Sequence, residues 1–250
     1  MTTESVRADR VAAFARSVPD GSRMTDESFR SRHRMVLAAT TALLPFVFLT
    51  SRLTGVESVT GAELPVIPLS HSVAGVGVVL VLLGTATIPS LSRRIRTSLA
   101  SFGFMTTAAV LAYFSGGFIE AHFLYFVGVG VVALYEDWVP FGVAIGYVAC
   151  QHSVFGLIEW FTVYNHPAAL ANPVVWGGIH AVFVSMLSVA ILFHWQSLAA
   201  ARDEIGARMT EVEQAKREIE QAKREAEEKC READRRREET ARLKRELETT

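Results

Sequence analysis

Apolar and polar positions divide this chain into two halves with different periods. Up to about residue 196 the sequence consists of long apolar runs broken by short polar turns; beyond about residue 202 it is almost entirely Glu, Lys, Arg, Gln and Ala. A helix crossing the hydrocarbon core of a bilayer needs about 20 predominantly apolar residues. Six windows meet that need: 35–53 (interrupted by Pro45), 66–91, 97–115, 118–135, 139–158 and 173–197. Only Ser115, Gly116 and Gly117 separate the third window from the fourth, which predicts a tight antiparallel pair of helices.

The polar half repeats in sevens. Glu211 to Arg217, Glu218 to Arg224 and Glu225 to Arg231 are three near-copies of one heptad. Every seventh residue from Leu198 gives Leu198, Ile205, Val212, Ile219, Ala226, Ala233, Thr240 and Leu247, a good position-a seam. The d positions are poorer, with Ala201, Arg208, Ala215, Ala222 and Lys229. A sustained period of seven imposes a left-handed supercoil, and β-branched residues at a favour two strands. The expected fold is therefore all-α: a six-helix transmembrane bundle followed by a long cytoplasmic coiled-coil helix. The expected domains are a 1–33 segment, a 34–197 membrane domain and a 198–250 coiled coil that pairs two copies of the chain. A solvated single helix held by charge pairs four apart, such as Glu225 with Lys229, is the competing reading.

Charge placement orients the spans. The first segment carries Arg7, Arg10, Arg16, Arg23, Arg30, Arg32 and Arg34; the second connection carries Arg93, Arg94 and Arg96; the tail is dense in Lys and Arg. The alternate connections hold only Arg52. By the positive-inside rule both termini face the cytoplasm, in a plasma (inner) membrane protein. The net charge of −1 averages these opposite regions and points to no nucleic-acid partner. Arginines without a following apolar core and cleavage site argue against a signal peptide, and residues 4–18 have the spacing of a short amphipathic helix. Two cysteines exclude a disulfide framework. Cys150 reads as a small buried hydrophobe.

Histidine depth changes the picture further. At about 1.5 Å per residue, His71, His122, His152 and His180 each fall in the outer third of a different span, with Glu120 and Glu159 at the same rim. Ionisable groups in a bilayer are costly and point to function. Imidazoles converging from separate helices are how bundles build metal or haem sites. The metal-ligand candidates are His71, His122, His152, His180 and Glu120, for zinc, copper or haem. Gly128, Gly130, Gly142, Gly146, Gly156, Gly177 and Gly178 are candidates for making room for a ring, or are ordinary helix contacts. His33 and His194 read as interfacial and solvated.

The run Ser115-Gly116-Gly117-Phe118-Ile119-Glu120-Ala121-His122-Phe123, continuing through Phe126 to Tyr135-Glu136-Asp137-Trp138-Val139-Pro140, resembles a known family. It is similar to the histidine-bearing multi-span membrane module found N-terminal to bacterial methyl-accepting chemotaxis proteins, sensor histidine kinases and diguanylate cyclases. The resemblance covers residues 97–196. Where that family often has further histidines, this chain has Leu124 and Gln151. The resemblance implies a sensory input module. No nucleotide-binding, kinase or cyclase pattern is present, so the expected partner is a cytoplasmic signalling protein or an output domain beyond residue 250. The expectation is thus a non-enzymatic sensor that relays an event at the histidines into the coiled coil. A membrane haem or metal redox enzyme is the alternative, and six spans without an internal repeat argue against a transporter.

Overall fold

A computed structural model describes residues 24–57, 61, 63–154 and 163–248. The expected amphipathic helix at 4–18, together with Glu159 and Gly156, lies outside them. Seven α-helices occur among the described residues: α1 Asp26–Thr50, α2 Leu69–Ala86, α3 Arg93–Phe114, α4 Ile119–Val132, α5 Trp138–Val154, α6 Pro167–Ala171 and α7 Pro173–Glu248. The fold is all-α apart from one two-stranded hairpin, β1 Gly55–Val56 with β2 Glu63–Leu64, whose register pairs Gly55 with Leu64. The chain divides into two compact units between Gln196 and Ser197.

Helices α1, α2, α3 and α7 are long and apolar enough to cross a membrane; α4 continues through a 3-10 turn, Ala133–Tyr135, as a shorter apolar helix. In the first unit α3 is central and packs on α1, α2, α4 and α5. Its small residues explain why: Ala100, Ser101, Gly103, Thr107, Ala108 and Ala112 are buried, and small faces let apolar helices approach closely. A Cβ on Gly103 would stand 3.0 Å from the Leu83 side chain, and one on Gly128 would overlap Met105 and Phe104 at 2.5–2.8 Å. Gly128 and Gly177 make close contacts, whereas Gly130, Gly142, Gly146 and Gly178 face open space. Ser101 Oγ donates to the Pro140 carbonyl at 2.7 Å, fixing the start of α5 on α3.

The α3–α4 connection is a Schellman turn. Gly117 N–H donates to Ala112 O (2.8 Å) and Gly116 N–H to Tyr113 O (3.1 Å), with both glycines at positive φ, +83° for Gly117 and +74° for Gly116. Three residues thus satisfy the end of α3 and reverse the chain.

At the opposite end of the unit, a polar network ties α1, α2, α3 and the 3-10 turn together. His33 is 2% exposed, which corrects the expectation of a solvated residue. Its Nε2–H donates to Ala86 O at 3.0 Å, an acceptor only, so Nδ1 accepts from the Tyr135 hydroxyl at 2.8 Å. Ala86 O also accepts from Arg96 Nε. Arg32 donates to Leu134 O at 2.6 Å and pairs with Glu136 at 2.5 Å. Trp195 of α7 is buried there too, donating to Ala133 O at 3.1 Å and stacking edge-on against Phe141. The arginines that read as topology markers are therefore also structural partners. Cys150 is exposed on α5, not in the core as expected. His194 is exposed, as expected.

Apart from half-buried Leu198 and Ala199, the described side chains of the second unit are exposed along a continuous helix. Charge pairs four residues apart support it: Arg208 with Glu204 and Arg236 with Glu232, both at 2.7 Å. The position-a residues Ile205, Val212 and Ile219 stand 61–69% exposed.

Candidate functional site

Three of the predicted histidines meet at the end of the first unit that carries the Ser115–Gly117 turn. The ring centroids of His152 and His180 lie 4.7 Å apart, those of His122 and His152 5.2 Å, and those of His122 and His180 5.5 Å. Each ring comes from a different helix, α4, α5 and α7. His122 and His152 are each 2% exposed, and His180 is half-buried.

All three imidazoles are oriented the same way. Nδ1 faces the carbonyl four residues back: Phe118 O at 2.9 Å for His122, Val148 O at 2.9 Å for His152 and Trp176 O at 2.8 Å for His180. A carbonyl only accepts, so each Nδ1 carries a proton, and in the neutral ring each Nε2 then presents a lone pair. The Nε2 atoms of His122 and His152 are buried and make no hydrogen bond of good geometry, although the Val163 backbone stands beside the His122 ring. Leaving such an atom unsatisfied costs about 1–3 kcal/mol.

Two tyrosines complete the cluster. Tyr125, one turn after His122 in α4, sits edge-on to His152 at 5.0 Å, and Tyr164 stacks parallel to His122 at 5.9 Å. Neither phenol oxygen has a protein partner, nor does Gln151 Oε1. Burial pushes the Tyr164 phenol up to about 12, so it remains a neutral hydroxyl.

Glycines set this geometry. A Cβ on Gly117 would lie 2.7 Å from the Tyr164 carbonyl carbon, so only glycine lets the α3–α4 turn meet the Tyr164 backbone. A Cβ on Gly177 would reach 3.4 Å from His152 O and 3.7 Å from the Tyr164 hydroxyl, where α7 approaches α5 closely enough for His180 to join the cluster.

The other predicted residues are elsewhere. His71 is exposed and pairs with the Tyr113 hydroxyl at 3.1 Å; Glu120 is exposed in the first turn of α4. His166, which was not among the predicted ligands, caps α6 through Ala169 N–H and packs on Trp176. Tyr125 and Gln151 were readable beside the histidines, by the three-residue spacing and by adjacency. Tyr164 had no sequence signal, because a loop residue reaches a site only through the fold. No group of three or more His, Cys, Asp or Glu among the described residues is placed, as it stands, to hold a metal ion. Chemically the cluster offers three neutral lone-pair donors and two neutral phenols, with no thiol and no carboxylate among its rings.

The chain is 44% identical over 208 residues to Transducer protein Htr8 from Halobacterium salinarum. It is related to a transducer. The aligned segment covers 83% of this chain and 32% of that relative, so the chain spans about a third of its length. No family model matches the chain, and no solved structure matches it.

Proposed function

We propose that this chain is the sensory input part of a membrane transducer, in which an event at the histidine cluster is relayed by α7 into a paired cytoplasmic coiled coil. The observation that carries this reading is α7 itself. One helix, Pro173–Glu248, holds His180 in the cluster near its start and the heptad series Leu198, Ile205, Val212 and Ile219 further on. The exposed apolar residues of that series are suited to a second copy of the chain, since an apolar stripe left in water is unfavourable. The weak d positions make the pair marginal, which suits an element shifted between packings by small free energies.

The apolar windows and the alternation of arginines support a reading of six spans in a plasma membrane with both termini cytoplasmic, which would put the cluster near the extracytoplasmic face. A cytoplasmic signalling partner then reads the coiled coil. The relative's name as a transducer supports this class over a redox enzyme. Among the described residues the cluster has no carboxylate within it, Glu120 being exposed.

The test is an insertion series after Ala201 in a receptor that joins this chain to a signalling output. At about 100° per residue, four added residues turn everything downstream by roughly 40° and break the heptad phase; seven added residues keep it. Four should abolish or invert output and seven should preserve it. Unchanged signalling with the four-residue insertion would refute the relay.

A further inference from the structure

We propose that the cluster binds a single transition-metal ion through the Nε2 atoms of His122, His152 and His180, with its fourth position facing Tyr125 and Tyr164. This deepens the reading of the cluster as the input site and names what it holds. His71 and Glu120 take no part.

Proton placement comes first. Because all three Nδ1–H groups are committed to backbone carbonyls, the three Nε2 atoms are acceptors with the same tautomer. A backbone carbonyl on the far nitrogen is the usual outer support of a metal-binding histidine, since it fixes both tautomer and ring angle. Lone pairs on three neighbouring rings cannot satisfy one another, and two of the atoms, His122 Nε2 and His152 Nε2, are buried without a hydrogen bond. An electrophile between them resolves all three at once.

Distances agree. With a metal–nitrogen bond of about 2.0–2.1 Å and a ring nitrogen about 1.1 Å from its centroid, tetrahedral ligation places imidazole centroids about 5.2 Å apart. The three observed separations, 4.7, 5.2 and 5.5 Å, bracket that value. As the rings stand, no three His, Cys, Asp or Glu among the described residues are placed to hold an ion, so binding must draw the imidazoles together, half-buried His180 being the least enclosed of the three.

The donor set selects the ion. Neutral imidazoles suit zinc or copper, whereas magnesium and calcium need oxygen ligands. Three protein ligands leave the open position of a reactive zinc-type site, beside two phenols able to hydrogen-bond whatever occupies it. A haem held between two of these imidazoles does not fit. For any pair, the third imidazole lies within 4.7–5.5 Å of both rings, in the space the macrocycle would need.

The full chain, purified in detergent and stripped with a chelator, is titrated with Zn²⁺ and with Cu²⁺. One ion per chain is expected. His122→Ala, His152→Ala and His180→Ala should each weaken binding by at least about 100-fold, the upper end of what loss of even an outer-shell partner costs. His71→Ala and Glu120→Gln should leave it unchanged. Should an alanine variant misfold, paramagnetic resonance of the Cu²⁺-loaded parent chain still decides, because three equivalent nitrogens are expected. Absence of stoichiometric uptake, equal losses in the His71 variant, a resonance with fewer nitrogens, or a Soret band in the isolated protein would each overturn the proposal. Such a failure leaves the insertion result standing, and failure of the insertion test leaves metal binding standing.

Discussion

Replacing Gly117 with alanine separates backbone strain from crowding, and its size can be worked out from neighbouring glycines. Gly61, Gly116 and Gly117 all have φ near +70° to +85°, where a side chain costs about 1–2 kcal/mol. At Gly61 no described residue lies within 4 Å of the added Cβ, so Gly61→Ala should cost only that conformational amount. At Gly116 the Cβ meets the Pro65 ring at 2.9 Å, on a short loop segment that can give. At Gly117 it meets three backbone atoms of Tyr164, at 2.7, 2.9 and 3.0 Å, against an optimum of about 3.5–4.0 Å. Overpacking against something that cannot rotate away adds about 1–3 kcal/mol. The expected order of destabilisation is therefore Gly61→Ala, then Gly116→Ala, then Gly117→Ala, the last at about 2–5 kcal/mol in sum. Thermal or denaturant unfolding in detergent, followed by circular dichroism, measures it. Gly117→Ala should also push Tyr164 off His122 and so disturb the cluster, which the other two substitutions leave intact. If Gly117→Ala were no more destabilising than Gly61→Ala, the contact between the turn and the Tyr164 backbone would be wrong.

Two further expectations concern the far end of the bundle and the tail. Tyr135→Phe leaves the buried His33 Nδ1 without its donor and should cost about 1–3 kcal/mol; in a His33→Ala background the same change should cost much less, and a double-mutant cycle with no coupling would dismiss the bond. Ile219→Asn places a polar group at one a position, which weakens a coiled coil while favouring two strands. The fraction of dimer in crosslinking or sedimentation should fall, and no change would exclude that face as the seam.

Much of the architecture was readable along the chain because a bilayer imposes length. Apolar windows of about 20 residues, a three-residue Ser-Gly-Gly turn and a seven-residue repeat are local quantities, and the helices follow them. The windows overshot where apolar composition continued past the helix: the second ran to residue 91, whereas α2 ends at Ala86 and Thr87 caps it. The β1–β2 hairpin went unread, since two-residue strands leave almost no periodic trace.

Side-chain environment was another matter. His33, placed among arginines by sequence, is buried because Ala86 O and the Tyr135 hydroxyl come to it from positions 53 and 102 residues away. Cys150 sits in an apolar run yet faces outward, because in a membrane-type helix apolar residues lie on every side and composition does not mark the packed face.

By itself, then, the order of residues determined where the apolar helices run and where the chain turns between them. Tertiary structure alone decided which histidines share a site: rotation about each helix axis, set by the small residues at Gly117, Gly128 and Gly177, turns His122, His152 and His180 inward and leaves His71 outside. Depth along a helix is a sum over local rises, but azimuth is fixed only by contact with neighbouring helices, which no single span specifies.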